Sequence, residues 1–407
     1  MSVAPLAKPN DAVAATPAAT VTPLPTKPPR PIPFVDLPAQ QARIRQRVDA
    51  AIAAVLDHGR YIMGPEVTAL EAELAAFCGA KHVITCSNGT DALALALMAR
   101  GIKPGDAVFV PSFTFAASPE VVCWAGATPV FVDVDLNTFN MDVDSLRLAI
   151  EAAEARGLTP RCIIPVDLFG QPADYAAIRS VAAAHGLWIL ADAAQSFGAA
   201  YGDRKVGTLG DITTTSFYPA KPLGAYGDGG ALFTDNDDDA AVLRSLRDHG
   251  QGDSRYDYAR IGMNGRLDTL QAAILREKLA IFPGEIAARQ AVAARYGADL
   301  PDTLVTPTLK SPATSIWAQY TIRVEGGRRD ALADLLKGLG VPTVQYYPKP
   351  LHQQQPYADK SVLPEGGLPH TDRLAGEVLS LPLHAYLADD LQDYVIGAIS
   401  RAMHALG

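Results

Sequence analysis

Cysteine is scarce in this 407-residue chain: Cys78, Cys86, Cys123 and Cys162 stand far apart and form no C-x-x-C pair. That excludes a disulfide framework and a cysteine-held metal centre, and it reads as reduced thiols in a cytoplasmic protein. Positive charge is not in excess, with 35 Lys+Arg against 44 Asp+Glu and a formal charge of −9. Without a basic block, binding of nucleic acid through bulk charge is excluded. No apolar run reaches the roughly 18 residues of a membrane-spanning helix, so no membrane segment is expected. The eight histidines, at 58, 82, 185, 249, 352, 370, 384 and 404, show neither H-E-x-x-H nor paired spacing, so no metal site is expected. Aromatic residues are absent from the first 33 positions, where proline occurs nine times among Ala, Thr and Val. Such a stretch buries too little surface to offset its chain entropy. Residues 1–33 read as a disordered extension, or a tether to a partner, and they lack the continuous apolar core of a secretory signal.

What is present is an ordinary globular body with 48% hydrophobic residues, long enough for two or three domains at about 150 residues each. Short apolar runs recur as HVITC (82–86), AVFV (107–110), PVFV (129–132), CIIPV (162–166) and LWIL (187–190). Between them lie helical patterns over 91–100, 144–155 and 174–185. Buried strands separated by helices predict an α/β fold whose mainly parallel sheet is covered on both faces. A long helix is expected over 282–300, then a half-exposed alternating strand over 317–324 and a helix over 328–339. The resulting division is a large domain over 34–283 and a small α+β domain over 284–407.

In an open α/β sheet, ligands bind beyond the carboxyl ends of the strands, so the residues after each apolar run are the ones expected to carry chemistry. After HVITC, Asn88-Gly89-Thr90 open a helix, where free backbone N–H groups suit a phosphate; an ordinary capped turn remains the alternative. After LWIL, Asp192 sits among alanines, either as the cap of a turn or as a buried carboxylate that requires a cation. Further on, Ser216 precedes Lys221, which prolines flank on both sides. A lysine among apolar residues can become a neutral nucleophile. The glycines at 224, 227, 229 and 230 do not form a dinucleotide loop, because Leu232 takes the last glycine position and a strand pattern follows. An anion cradle, a carboxylate and a constrained lysine are together the parts a pyridoxal phosphate enzyme needs.

NGTDAL, ADAAQSFGA, SFYPAKPLGAYGDGGA and GMNGRLDTLQAAIL resemble the DegT/DnrJ/EryC1/StrS-type nucleotide-sugar aminotransferases, from about Ile32 to the C-terminus. The resemblance implies a fold-type I, aspartate-aminotransferase-like fold with a seven-stranded mixed sheet. It also implies pyridoxal 5'-phosphate as cofactor, L-glutamate as donor, a nucleotide-linked ketosugar as acceptor, and a homodimer with shared active sites. FVDLPAQQARI, HGRYIMGPEV and KPLGAYGDGG look most like the branch that aminates UDP-2-acetamido-2-deoxy-3-oxo-glucuronate at carbon 3, in surface polysaccharide synthesis; Pro222 stands where other branches more often carry Asn. By this resemblance Lys221 binds the cofactor covalently and Asp192 pairs with its ring nitrogen. Gln195 contacts its 3-oxygen, and Phe115 stacks on the ring opposite Ala194. Gly89, Thr90 and Ser216 hold the phosphate, joined by Asn264 of a second subunit, while Arg266, Tyr346 and Tyr347 face the sugar. Similar glucuronate enzymes can carry His where this chain has Tyr346, which leaves open an acceptor that is another 3-keto or 4-keto hexose, dTDP-linked ones included. Relatives that deoxygenate sugars replace the lysine with histidine, so Lys221 argues against that chemistry. A non-catalytic regulatory protein of the same fold is the remaining alternative.

Overall fold

The computed structural model describes residues 27–254 and 256–407. The expected disorder of the N-terminal extension therefore falls mostly outside the described residues. Where the expectation does overlap them, at 27–33, the chain is anchored: Arg30 pairs with Asp390 at 2.5 Å, Ile32 is buried in the C-terminal core and Pro28 lies against Gly340.

The central sheet is built from β1 (His82–Cys86), β2 (Asp106–Pro111), β3 (Thr128–Val132), β4 (Thr159–Ile163), β5 (Trp188–Asp192), β6 (Ile212–Ser216) and β7 (Gly230–Thr234). Their spatial order is β1-β7-β6-β5-β4-β2-β3, parallel except for β7, which runs antiparallel to both its neighbours. Successive side chains point to opposite faces. Phe109, Ile189 and Ala191 enter one core cluster, whereas Val108, Val110 and Leu190 enter another. Because both faces are buried, the strands read as unbroken apolar runs rather than as alternation. Helices α1 (Leu37–His58), α2 (Pro65–Cys78), α3 (Gly89–Ala99), α4 (Ala117–Trp124), α5 (Val143–Ala155), α6 (Tyr175–His185) and α7 (Asp237–Leu246) accompany the sheet. Asn88, Asp142, Asp174 and Asn236 each cap a following helix by accepting from a backbone N–H three residues on, which satisfies donors that the helix cannot.

The long helix begins earlier than expected. Helix α8 runs over Thr269–Asp299 and continues through Pro283, so the expected division at 283 falls inside one continuous element. Its first half packs Ala272, Leu275 and Phe282 into the sheet core; its second half packs Val292, Ala293 and Tyr296 into the C-terminal core. In that C-terminal region, β8 (Tyr320–Arg323) pairs antiparallel with β9 (Val378–Leu381), and α9 (Arg329–Gly338) and α10 (Asp389–Leu406) pack nearby. The strand expected to be half-exposed is buried at all four positions. Tyr320 and Ile322 enter the core, and on the other side Thr321 shares a 2.8 Å hydrogen bond with Ser380 while Arg323 pairs with Glu377 at 3.1 Å. Polar residues here are buried against polar partners, which an alternating pattern cannot distinguish from exposure. Among the described residues no helix is long and apolar enough to cross a membrane, and no group of three candidate metal ligands converges. The four cysteines are unbridged.

Candidate active site

The carboxyl ends of β5 and β6 converge on a buried acid. Asp192 ends the central strand β5, and its Oδ2 accepts from Ser118 Oγ at 2.8 Å while Oδ1 accepts from the Ala194 N–H at 3.2 Å. Burial pushes its carboxyl above the usual range; the Ser118 and Ala194 donors and the charge of Lys221 pull the other way. Lys221 shows the complementary effect, since burial lowers its ammonium from the ordinary lysine value and Asp192 opposes that. Asp192 is thus what compensates Lys221 in this low-dielectric setting, while Asp192 itself is compensated first by Ser118 and Ala194 and then by Lys221.

The backbone around Lys221 is fixed rather than merely irregular. Lys221 N–H donates to the Tyr218 carbonyl at 2.8 Å, Ala225 N–H to Phe217 at 2.7 Å, and Phe217 N–H to Gly229 at 2.7 Å. A Cβ at Gly224 would lie 2.4 Å from the Pro219 carbonyl oxygen, so only glycine closes this turn. A second lysine completes the clasp. Lys278, fully buried on α8, donates to the Gly224 carbonyl at 2.6 Å and lies 4.3 Å from the centre of the Tyr226 ring. Burial brings its ammonium down to about 8. Lys278 is therefore a lysine with a shifted proton affinity that holds the loop, whereas Lys221 is the one that faces Asp192.

The turn at 88–90 lies against β6. Asn88 caps α3 through Asp91 N–H at 2.8 Å, and Ser87 and Asn88 both donate to the Asp91 carboxylate. The capping expected of this turn is thus carried by Asn88. Gly89 and Thr90 form the first helical positions, whose N–H groups have no partner within the helix. A Cβ at Gly89 would lie 2.7 Å from Ser216 Cβ and 3.2 Å from Ser216 Oγ. Glycine is what lets Ser216 approach the helix end.

Gln195 is oriented by a strained turn. Its Oε1 accepts from Phe169 N–H at 2.7 Å, so Nε2 points away and donates to Tyr347 Oη at 3.4 Å. Phe169 has φ of 58°, unusual for a residue with a Cβ. Tyr347 packs edge-on to Phe113 and next to Tyr346, with ring centres 6.2 and 5.8 Å apart. Phe115, the expected ring-stacking residue, is 59% exposed at the entrance to α4.

One chain does not bring Asn264 and Arg266 to this group through any hydrogen bond among the described residues. Asn264 is exposed, on a segment whose Gly265 carbonyl accepts from Ser87 N–H at 3.0 Å. Arg266 forms an ion pair with Asp248 and leaves its Nε without a partner. Two further groups escaped the sequence reading. Ser118 is one; the other is Asp167, fully buried behind Asp192, where it accepts from Ala173 N–H, Tyr175 Oη and Ser196 Oγ at 2.9, 2.9 and 2.7 Å. Burial pushes its carboxyl up to about 7. Its place one residue after Val166, in a run continuing past β4, was the available signal.

The model of the DegT/DnrJ/EryC1/StrS aminotransferase family matches residues 42–400, and the chain belongs to that family. It is 49% identical over 360 residues to UDP-2-acetamido-2-deoxy-3-oxo-D-glucuronate aminotransferase of Pseudomonas aeruginosa, covering 88% of this chain and 96% of the relative. Among solved structures, a DegT DnrJ EryC1 StrS aminotransferase from Brucella abortus superposes with a TM-score of 0.89 at 52% identity, covering 91% of this chain and 99% of that one. DesV of S. venezuelae, solved in complex with a ketimine intermediate, superposes with a TM-score of 0.86 at 41% identity, covering 91% and 98%.

Proposed function

We propose that this chain is a pyridoxal 5'-phosphate-dependent aminotransferase that moves the amino group of L-glutamate to carbon 3 of UDP-2-acetamido-2-deoxy-3-oxo-D-glucuronate. The observation that carries the reading is a constrained, half-buried Lys221 within electrostatic reach of the buried Asp192, beside a helix end that Gly89 keeps open to Ser216. The residues fit the cofactor. Asp192 is a buried acid without a cation in ion-pair contact among the described residues, which suits a protonated ring nitrogen, and the cradle at Gly89 and Thr90 is one that a Cβ would fill.

When bound, the cofactor's ring takes up the electrons released as a proton leaves the amino-bearing carbon. Everything else falls to side chains. Asp192 keeps a proton on the ring nitrogen, with Ser118 and Ala194 fixing its two oxygens. Lys221 Nζ, its proton affinity lowered by burial, would be available as a neutral amine to hold the cofactor and, when released from it, to take and return the proton at the substrate carbon. Gln195 Nε2 donates to the ring's 3-oxygen, its direction set by Phe169 N–H. Phe115 and Ala194 bracket the ring, and the Gly89 and Thr90 N–H groups with Ser216 Oγ hold the phosphate. Asn264 of a second copy completes that cradle, and Arg266, Tyr346 and Tyr347 face the sugar, so the working unit is a homodimer. One water supplies the new carbonyl oxygen as glutamate becomes 2-oxoglutarate, and the sugar's carbonyl oxygen leaves as water when the amine replaces it, so no net water is formed. Unbridged thiols suit a cytoplasmic enzyme, and the product suits assembly of a surface polysaccharide such as lipopolysaccharide O-antigen.

A panel of UDP- and dTDP-linked 3-keto and 4-keto sugars, each incubated with glutamate and read by product mass, tests the assignment. Amination of the UDP-linked 3-keto uronate at the highest kcat/KM supports it; preference for a dTDP-linked or 4-keto hexose would move the substrate and leave the chemistry in place.

A further inference from the structure

A second buried acid stands next to the one at the reaction centre. Asp167 N–H donates to the Asp192 carbonyl at 3.0 Å, and Val166 bridges to Asp192, so the two acids leave neighbouring parallel strands side by side. Asp167 has no exposed surface, and the donors on its carboxylate are neutral: Ala173 N–H and Tyr175 Oη at Oδ1, Ser196 Oγ at Oδ2. Three converging donors are the bonding of an anion. Burial and the like charge of Asp192 oppose that anion and push the carboxyl up to about 7. Tyr175 stays a donor, because burial and both acids raise its phenol, with Arg179 on the same helix opposing. Ser196 N–H in turn donates to the Ala193 carbonyl at 3.1 Å and closes the turn that carries Ala194 and Gln195.

We infer that Asp167 is a positioning residue of the ring-nitrogen site: a second carboxylate in series with Asp192, whose negative charge strengthens the hold on the ring proton. The inference rests on the proposed function, which sets the cofactor's ring nitrogen on Asp192. A positive charge there offsets the repulsion that Asp192 exerts on Asp167 and so favours the ionised form of Asp167. Once ionised, Asp167 returns the effect, because a nearby anion makes loss of the ring proton less favourable. In a buried setting such an effect reaches past the first contact. One cation is then held by two carboxylates, one in contact with it and one behind. The same side chain anchors the turn from Ala193 to Ser196, so charge and scaffold coincide in one residue, and the substitution that parts them is Asp167→Asn.

Asn at this position removes the charge and keeps the bonds, since the Ser196 hydroxyl can accept from the amide where it now donates to the acid. The test uses the holoenzyme, loaded with pyridoxal 5'-phosphate isotopically labelled at the ring nitrogen and followed by nitrogen NMR as the pH is raised. In Asp167→Asn the ring proton should be lost about one pH unit or more below the parent. Tyr175→Phe keeps the acid but takes away one of its three donors, and should shift the loss in the same direction by less. A scaffold role alone leaves the titration of Asp167→Asn where the parent has it, because the bonds persist. An unmoved titration in Asp167→Asn, or in Tyr175→Phe should the first variant not fold, overturns the inference. Asp192→Asn separates the two levels of the argument. If it lowers the ring titration while Asp167→Asn does not, only the role of Asp167 fails; if it too changes nothing, the placement of the ring nitrogen in the proposed function fails.

Discussion

The loop that carries Lys221 and the segment from Asp248 to Asp268 present opposite ways of building a site. The first is closed within one chain: the backbone joins Lys221 to Tyr218, Ala225 to Phe217 and Phe217 to Gly229, and Lys278 reaches in from α8 to the Gly224 carbonyl. The second is turned outward. Ile261 is 88% exposed and Tyr258 59%, Asn264 is exposed, and Arg266 is held by Asp248 with a buried nitrogen still unpartnered. On the proposed function, a single chain thus assembles Lys221 and Asp192 by itself and leaves Asn264 and Arg266 to act with a second copy.

The largest effect expected on the closed side is Lys221→Ala, which should lower kcat by about 10⁴-fold or more and abolish borohydride-stable attachment of the cofactor. Asp192→Asn should still bind cofactor while transamination slows by roughly 10²–10⁴-fold, seen in single-turnover kinetics with glutamate; near-normal rates would remove Asp192 from its role. On the open side, Arg266→Ala should be inactive with the sugar, but mixing it with Lys221→Ala should regenerate about a quarter of parental activity through hybrid dimers, if two copies exchange at random and share sites. No recovery would erase the contrast between the two regions.

Smaller changes sharpen the comparison. Gly89→Ala should weaken cofactor binding by about tenfold or more, because the new Cβ meets Ser216 at 2.7 Å in a packed site. Ser118→Ala should act through pH. The Ser118 hydroxyl lowers the proton affinity of Asp192, so its loss raises that affinity further and the acid limb of the kcat profile moves to higher pH. A profile that does not move would show that Ser118 has no hold on the carboxylate.

Much of the closed region was legible in the sequence because its demands are local. A turn that admits only glycine, prolines around a lysine and an acid ending an apolar strand leave marks within ten residues. The fold class followed from the same locality, since each doubly buried strand spells an apolar run. Contacts between distant residues left no such mark. Ser118 meets Asp192 across 74 residues, and Phe169 fixes Gln195 through a backbone N–H that any residue but proline could supply. The apolar run at 162–166 lies three residues late relative to β4 because Ile164 and Val166 stay buried after the strand ends, Val166 as an isolated bridge to Asp192. Helix α8 was begun late because its first half is buried against the sheet, and a helix with apolar residues on several faces loses its period.

The account stands or falls on which lysine carries the cofactor. Both Lys221 and Lys278 have lowered proton affinities, so burial alone does not choose between them; the charge of Asp192, which acts on Lys221 and not on Lys278, does. Reducing the pyridoxal phosphate-loaded protein with borohydride, digesting it and locating the labelled peptide by mass spectrometry should find the cofactor on Lys221. A label on Lys278, or on any other lysine, would contradict the assignment and the mechanism built on it.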